Sequence, residues 1–231
     1  MPTSASFTDQ WQTLAAGLEM RAYVPEDNIL GQLLVLRVDP TLYTFRAHYY
    51  PGNPLSTSNW RSELAGATAF VNANFFDRDN NILGLLIADG IVYGSSYTDR
   101  GGTFAIQNGQ PVLRSNIEEP YQGESYEQAV QAFPMLVVNG AQAYTTVRGD
   151  RATRRTVVAL DGQGRVLLIA TPLVGLRLAD LAAYLVETDL DIVTAMNLDG
   201  GRSTMMVVQT DAPYVVSSIE RVPAVLAIYA R

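Results

Sequence analysis

Apolar runs of roughly four to eight residues, each broken off by turn chemistry, recur along almost the whole of this 231-residue chain. LEMRAYV alternates apolar and polar residues, QLLVLRVD is nearly continuous, and 42–50 alternates around aromatic side chains. Pro25-Glu26-Asp27-Asn28, Asp39-Pro40 and Pro51-Gly52-Asn53-Pro54 separate these runs. They are too short for helices of ordinary length and carry the period of strands. A buried strand over 67–72 comes next. LGLLIADG, IVYG, GTFAIQNG and QPVLR, punctuated by glycines, then predict a β-meander. FPMLVVNG, TVVALD, RVLLIATPL, a run ending at Asn197, another ending at Val208 and the closing VPAVLAIYA complete the set.

Three stretches read as helix. Thr57-Ser58-Asn59 caps a short one that Gly66 ends, and 124–132 stops before Pro134. The stretch 177–188 places Leu178, Leu181, Ala182, Leu185 and Val186 at helical spacing. No repeat and no linker divides the chain. The expectation is one α+β domain over 1–231, mostly antiparallel or mixed β-sheet with about three helices packed on it. Residues 1–17 read as a loosely ordered N-terminal extension.

Composition narrows the function. Hydrophobic residues make up 48% and charged ones 17%, with a net charge of −7. That describes a packed globular protein rather than a disordered chain or a general nucleic-acid binder. All sixteen basic residues are arginine, the side chain that meets carboxylate and phosphate bidentately. The absence of cysteine excludes thiolate catalysis, disulfides and cysteine metal sites. A lone His48 excludes a multi-histidine zinc site, and in its aromatic segment it reads as a packed or surface imidazole. No run approaches the roughly 20 apolar residues of a membrane span. MPTSASFTDQW lacks the pattern of a signal peptide. Oligomeric state is not legible.

The stretch richest in chemistry is NLDGGRSTMMVV, 197–208. An apolar run delivers Asn197 and Asp199 to its own end. Gly200 and Gly201 let another group approach the backbone, and Ser203 and Thr204 add hydroxyls. Asp-Gly between two apolar runs equally describes a plain hairpin turn.

The stretch has companions. VNANFFD, FPMLVVNG, RRTVVALDGQGRVLLIA, the helix with Leu178-Ala179-Asp180-Leu181, MNLDGGRSTMM and RVPAVLAIYA occur in one order and together resemble the phosphodiester glycosidase family over roughly 34–231. That family includes the "uncovering" enzyme, which removes N-acetylglucosamine from mannose-6-phosphate, and many bacterial proteins. The resemblance implies a hydrolase for a sugar–phosphate glycosidic bond, a small or polymeric glycan-phosphate as substrate, and a bacterial, extracytoplasmic setting. One position departs: Arg202 stands where the family commonly has a third glycine. A cation there either narrows the pocket or contacts phosphate.

The leaving group of such a reaction is a phosphate ester, with a second pKa of about 6. It needs less protonation than an alcohol, so the usual pair of carboxylates can reduce to one. Asp199 is the candidate nucleophile or base, with Asp77 second. Arg155 is the candidate phosphate clamp. The Gly200 and Gly201 amides are candidates for an anion-binding nest, with Ser203 and Thr204 donating hydroxyl hydrogen bonds. Asn72, Asn74, Thr156, Asn197 and Arg202 complete the candidate substrate-binding set. Asn72 and Asn197 equally suit loops tied by side chain to backbone.

No cofactor is required by this chemistry. Asp77-Arg78-Asp79-Asn80-Asn81 puts oxygens at alternate positions but lacks the glycine and glutamate of an EF-hand, so Asp77 and Asp79 leave room only for a looser calcium or magnesium site. Arg151 and Arg154 read as solvated loop charges. Arg148-Gly149-Asp150 is a chance match to an adhesion tripeptide, and Asp161 reads as structural. Phe75 and Phe76 suit either a sugar site or the core. Two alternatives stand beside the hydrolase. One is a non-catalytic carbohydrate-binding or cell-envelope module, favoured by Arg202. The other is a metal-dependent phosphodiesterase using Asp77, Asp79 and Asp199.

Overall fold

The strand Leu33–Val38 shows how this sequence folds. Leu34, Leu36 and Val38 pack into one hydrophobic cluster, while Leu33 and Val35 pack into another on the opposite face. A strand buried on both faces reads as a continuous apolar run, which is why alternation is weak here. A computed structural model describes residues 8–26 and 28–231 of the chain.

Three antiparallel sheets form the body. The largest has eight strands, in spatial order Gln12–Ala15, Leu18–Tyr23, Leu33–Val38, Val166–Ala170, Thr156–Asp161, Ile192–Asn197, Met135–Val138 and Ala141–Gln142. A five-stranded sheet runs Tyr214–Val216, Met206–Val208, Ala69–Asn72, Ala224–Ala230 and Tyr43–Tyr49. The other runs Ile91–Gly94, Leu85–Ala88, Gln128–Ala132, Gly102–Gln107 and Gln110–Ser115. One face of the large sheet (Met20, Leu36, Leu168) meets Phe45, Val71 and Leu226 of the second sheet and Leu86, Phe104 and Val130 of the third. The helix Leu178–Glu187 covers the other face of the large sheet through Leu181, Ala182 and Leu185.

The helix Thr57–Glu63 covers the outer face of the second sheet. Its Trp60 is fully buried, and the indole N–H donates to the Val222 carbonyl at 3.0 Å. Truncating a side chain of that size costs about 3–5 kcal/mol. Ser56 caps this helix by accepting from the Asn59 amide, one residue before the expected cap.

The α+β expectation matches, with three corrections. The described residues hold two α-helices, not about three, because 124–132 contains the strand Gln128–Ala132. Glutamines and alanines there suit a helix, but tertiary pairing overrides that preference. Gln131 Oε1 accepts from the Leu85 and Tyr97 amides, and Gln128 Oε1 accepts from the Ala47 amide.

The expected meander is two hairpins with the same strand, Gln128–Ala132, inserted between them. Within the expected N-terminal extension, Gln12–Ala15 is a strand paired with Leu18–Tyr23. Residues 1–7, and Asp27 of the first expected turn, lie outside the described residues. Among the described residues no helix is long and apolar enough to cross a membrane.

Candidate active site

The run after Ile192–Asn197 does not turn back as a hairpin. Ile192–Asn197 belongs to the large sheet and Met206–Val208 to a smaller one, so 198–205 crosses between sheets. Along the crossing, the Leu198 amide donates to the Thr156 carbonyl at 2.8 Å and the Asp199 amide to the Ala73 carbonyl at 3.0 Å. Asp199 thus stands on the seam where the two sheets meet, held by strand ends of both.

The glycines have a steric reason. A Cβ on Gly200 would sit 2.9 Å from the Arg154 carbonyl oxygen, and Gly201 has φ +64°. Their amides are committed within the protein. The Gly200 N–H donates to Asp199 Oδ1 at 2.8 Å, and the Gly201 N–H donates to the Arg154 carbonyl at 2.7 Å. The expected anion nest is therefore absent from this pair. The glycines hold the carboxylate instead.

Asn72 is a fully engaged buried hub. Its Nδ2 donates to the Asp199 carbonyl at 2.6 Å, while Oδ1 accepts from the Thr156 hydroxyl at 2.7 Å and the Met205 amide at 2.9 Å. Asn72 and Thr156 are thus tie residues under the site. Asn74 donates to the Leu85 and Gln131 carbonyls and is likewise bound into the sheets.

A cleft of about 420 Å³ opens over Asp199, lined also by Asn197, Gly200, Gly201, Arg155, Thr153, Phe75, Phe133, Pro134, Tyr144 and Leu178. Asn197 donates to the Phe133 carbonyl at 3.0 Å, which leaves its Oδ1 without a partner. Phe75 packs against Phe133 with tilted rings, centroids 4.6 Å apart, whereas Phe76 packs into the cluster around Trp60.

Burial pushes the Asp199 carboxyl up to about 6. The Ser203 hydroxyl and Gly200 amide oppose that push, and the charge of Glu220 adds to it. The Ser203 Oγ donates to Glu220 Oε1 at 2.8 Å, so the hydroxyl that lowers the Asp199 pKa is held by a second carboxylate.

Arg155 is buried and reaches the cleft wall. Its Nη2 donates to Asp150 Oδ1 at 3.0 Å and to the Arg151 carbonyl at 2.7 Å, and Nη1 makes no hydrogen bond among the described residues. Burial lowers the pKa of its guanidinium, an effect that Asp150 opposes. Asp150 Oδ2 also accepts the Ala179 amide at 3.0 Å, in the first turn of Leu178–Glu187, so the RGD aspartate braces a helix N-terminus.

Four other expectations are corrected. Asp77 and Asp79 do not line the cleft. The Asp77 carboxylate accepts from the Asp79 and Asn81 amides and closes its own turn, and Asp79 is exposed. No cluster of three or more His, Cys, Asp or Glu suited to a metal ion occurs among the described residues. Arg154 is not solvated but buried, donating to the Thr204 and Ser217 carbonyls at 2.6 and 2.8 Å. Arg202 is exposed and turned to Glu220 Oε2 at 3.4 Å, away from the cleft lining. Ser203 and Thr204 are buried behind Asp199 and do not line the cleft.

Sequence reasoning missed Glu220 and Tyr144, which arrive from segments distant from 197–208; Phe133, by contrast, opens the motif FPMLVVNG, and Thr153 stands just before Arg154 and Arg155. The family model for phosphodiester glycosidase matches residues 65–229. The chain belongs to the phosphodiester glycosidase family. Membership supports a hydrolase of the glycosidase type.

Among solved structures, this glycosidase-family chain is similar to the zebrafish N-acetylglucosamine-1-phosphodiester alpha-N-acetylglucosaminidase catalytic domain auto-inhibited by its pro-peptide. The TM-score is 0.72 at 18% identity, covering 98% of this chain and 87% of that one. A hypothetical protein from Synechocystis gives a TM-score of 0.63 at 14% identity, covering 93% and 62%. A protein assigned to export in Burkholderia pseudomallei gives 0.60 at 14%, covering 92% and 74%. Identities this low show the shared fold alone. Comparison with curated proteins gives no match.

Proposed function

We propose that this protein hydrolyses glycosyl phosphodiesters at the bond between the sugar C1 and the phosphate oxygen. One observation carries the reading. A single carboxylate with its pKa pushed to about 6, Asp199, lies on a cleft whose adjoining end is lined by Arg148, Arg151 and Arg155. The sugar lies against Phe75, Phe133 and Tyr144. The phosphate lies toward the arginines, where Arg155 Nη1 donates to it.

In the reaction the C1–O bond breaks and its electron pair leaves with the phosphate monoester, whose charge the guanidiniums balance. Asp199 either attacks C1 with its own electron pair, forming a glycosyl ester whose C1–O bond water then cleaves, or takes a proton from the water whose oxygen attacks C1. The oxygen of water ends on C1. Ser203 and Glu220 stand behind Asp199 and set the position of its proton. With a leaving group this acidic, one carboxylate is enough.

The metal-independent route is part of this proposal, and activity is expected to survive exhaustive chelation. Because Arg202 points away from the cleft, it gives no reason to prefer a non-catalytic binding module. Likeness to a protein assigned to export supports an extracytoplasmic location for this chain as well.

The direct test is incubation with a panel of sugar-1-phosphodiesters, N-acetylglucosamine-phosphomethylmannoside among them, following the released sugar. Release that disappears in Asp199→Asn is the expected result. No release from any donor overturns the reading.

A further inference from the structure

A second cavity, of about 390 Å³, adjoins the first and shares Phe133, Pro134 and Tyr144 with it. Its walls are hydrocarbon: Ile117, Met135, Val138 and Ala143 join the Phe133 ring. Ile117 is 67% exposed, an isoleucine left open to water at the mouth of a cleft. Exposed apolar surface that is contiguous with a polar site marks a place for apolar ligand.

The charges sort the two ends of the combined groove. At the annexe, Asp99 and Arg100 cancel each other through paired contacts of 3.0 Å, and Glu118 adds a negative charge at the rim. The Arg100 guanidinium also lies 5.8 Å from the Phe133 ring centre. Where the cleft is walled by Thr153, Arg155 and Leu178 instead, the adjoining pocket places Arg148, Arg151 and Arg155 with Asp150 as their one acidic neighbour. A phosphate belongs at the arginine end, and the annexe repels it. With C1 over Asp199 and the phosphate toward Arg155, the groups on the far side of the sugar ring point to the annexe.

We propose that the annexe is a subsite for a hydrocarbon chain carried by the sugar, so that the preferred substrate is a glycosyl phosphodiester whose amino sugar bears an acyl group longer than acetyl. The inference rests on the glycosidase reading above and adds the substrate class. Each methylene fully moved from water to such a wall is worth about fourfold in affinity. Six extra methylenes, partly exposed, therefore raise affinity by at least tenfold.

The test is calorimetric binding of wild-type protein to matched N-acetyl and N-octanoyl derivatives of glucosamine, galactosamine and mannosamine, with octyl phosphate as a third probe. The substitutions Ile117→Asp and Ala143→Asp fall on exposed positions and are checked for an unchanged Tm. At least one octanoyl sugar is expected to bind tenfold or more tightly than its acetyl partner, and both substitutions remove that gain while leaving acetyl binding within twofold. Equal affinity for the two acyl lengths overturns the annexe and leaves the glycosidase reading standing. A gain that survives both substitutions also overturns it. So does dependence on Ile117 and Ala143 seen for octyl phosphate alone, which places the hydrocarbon on the phosphate side. No binding of any sugar, together with no hydrolysis of the donor panel, overturns both.

Discussion

The side-chain amide of Asn72 donates to the backbone carbonyl of Asp199 at 2.6 Å, pinning the carboxylate-bearing crossover of the large sheet to the end of a strand in another sheet. With Thr156 and Met205 on its other end, Asn72 satisfies three groups at once. Asn72→Ala leaves a buried amide and a carbonyl unpaired, at a cost of about 2–4 kcal/mol. Chemical denaturation should show that loss, together with a fall in kcat larger than Asn197→Ala produces. A neutral effect on stability removes the hub from the account.

Asp199 is costly to keep charged. A folded-state pKa raised from 3.8 to about 6 means that the native state holds its proton more tightly than the unfolded chain does. The stability that comes with that proton is fully present below the unfolded value and is lost as pH rises through about 6. Above that pH, Asp199→Asn removes a buried charge and keeps an acceptor for the Gly200 amide. Scanning calorimetry at pH 7.5 should find the variant more stable by about 2–3 kcal/mol, roughly 4–10 °C in Tm. Near pH 4 the two proteins should melt together, while the variant is inactive at every pH.

Glu220 raises the proton affinity of Asp199 through its charge and draws the hydroxyl of Ser203 toward itself. In Glu220→Gln both influences weaken, so the Asp199 pKa falls. The acidic limb of the kcat/KM profile should move to lower pH, and carboxyl NMR of Asp199 should move with it. Arg202→Gly removes a cation that is 3.4 Å from Glu220 and 69% exposed. It should change kcat/KM by less than about threefold, as exposed pairs are weak. A large change in KM would return Arg202 to the pocket.

Arg155 is paired with Asp150, whose side chain is 2% exposed. Arg155→Ala strands that carboxylate, at about 3–5 kcal/mol. Adding Asp150→Asn should recover part of the loss in a thermal melt. Arg155→Lys keeps a charge but not the forked donor, so inhibition by inorganic phosphate should weaken at least tenfold while the fold stays intact. Unchanged inhibition would take the phosphate away from Arg155.

Much of the fold was legible because it is written in local terms. The strands of 18–23, 33–38, 156–161 and 166–170 are apolar runs between turn residues, and the helix Leu178–Glu187 follows its spacing. The strand Gln128–Ala132 was not legible. Its glutamines are buried by hydrogen bonds to Leu85, Tyr97 and Ala47, partners that no local window contains.

The sequence by itself determined the α+β class, the family, and the placing of Asp199 at the end of a buried strand before two glycines. Those facts rest on periodicity and on one ordered set of motifs. Tertiary structure alone decided which residues meet around that carboxylate. It turned Asp77 into a turn cap, Arg154 into a buried brace and Arg202 outward, and it brought Tyr144, Phe133 and Glu220 to the site. The physical reason is that the crossover at 198–205 leaves one sheet for another. Its neighbours are set by how the sheets pack, not by distance along the chain.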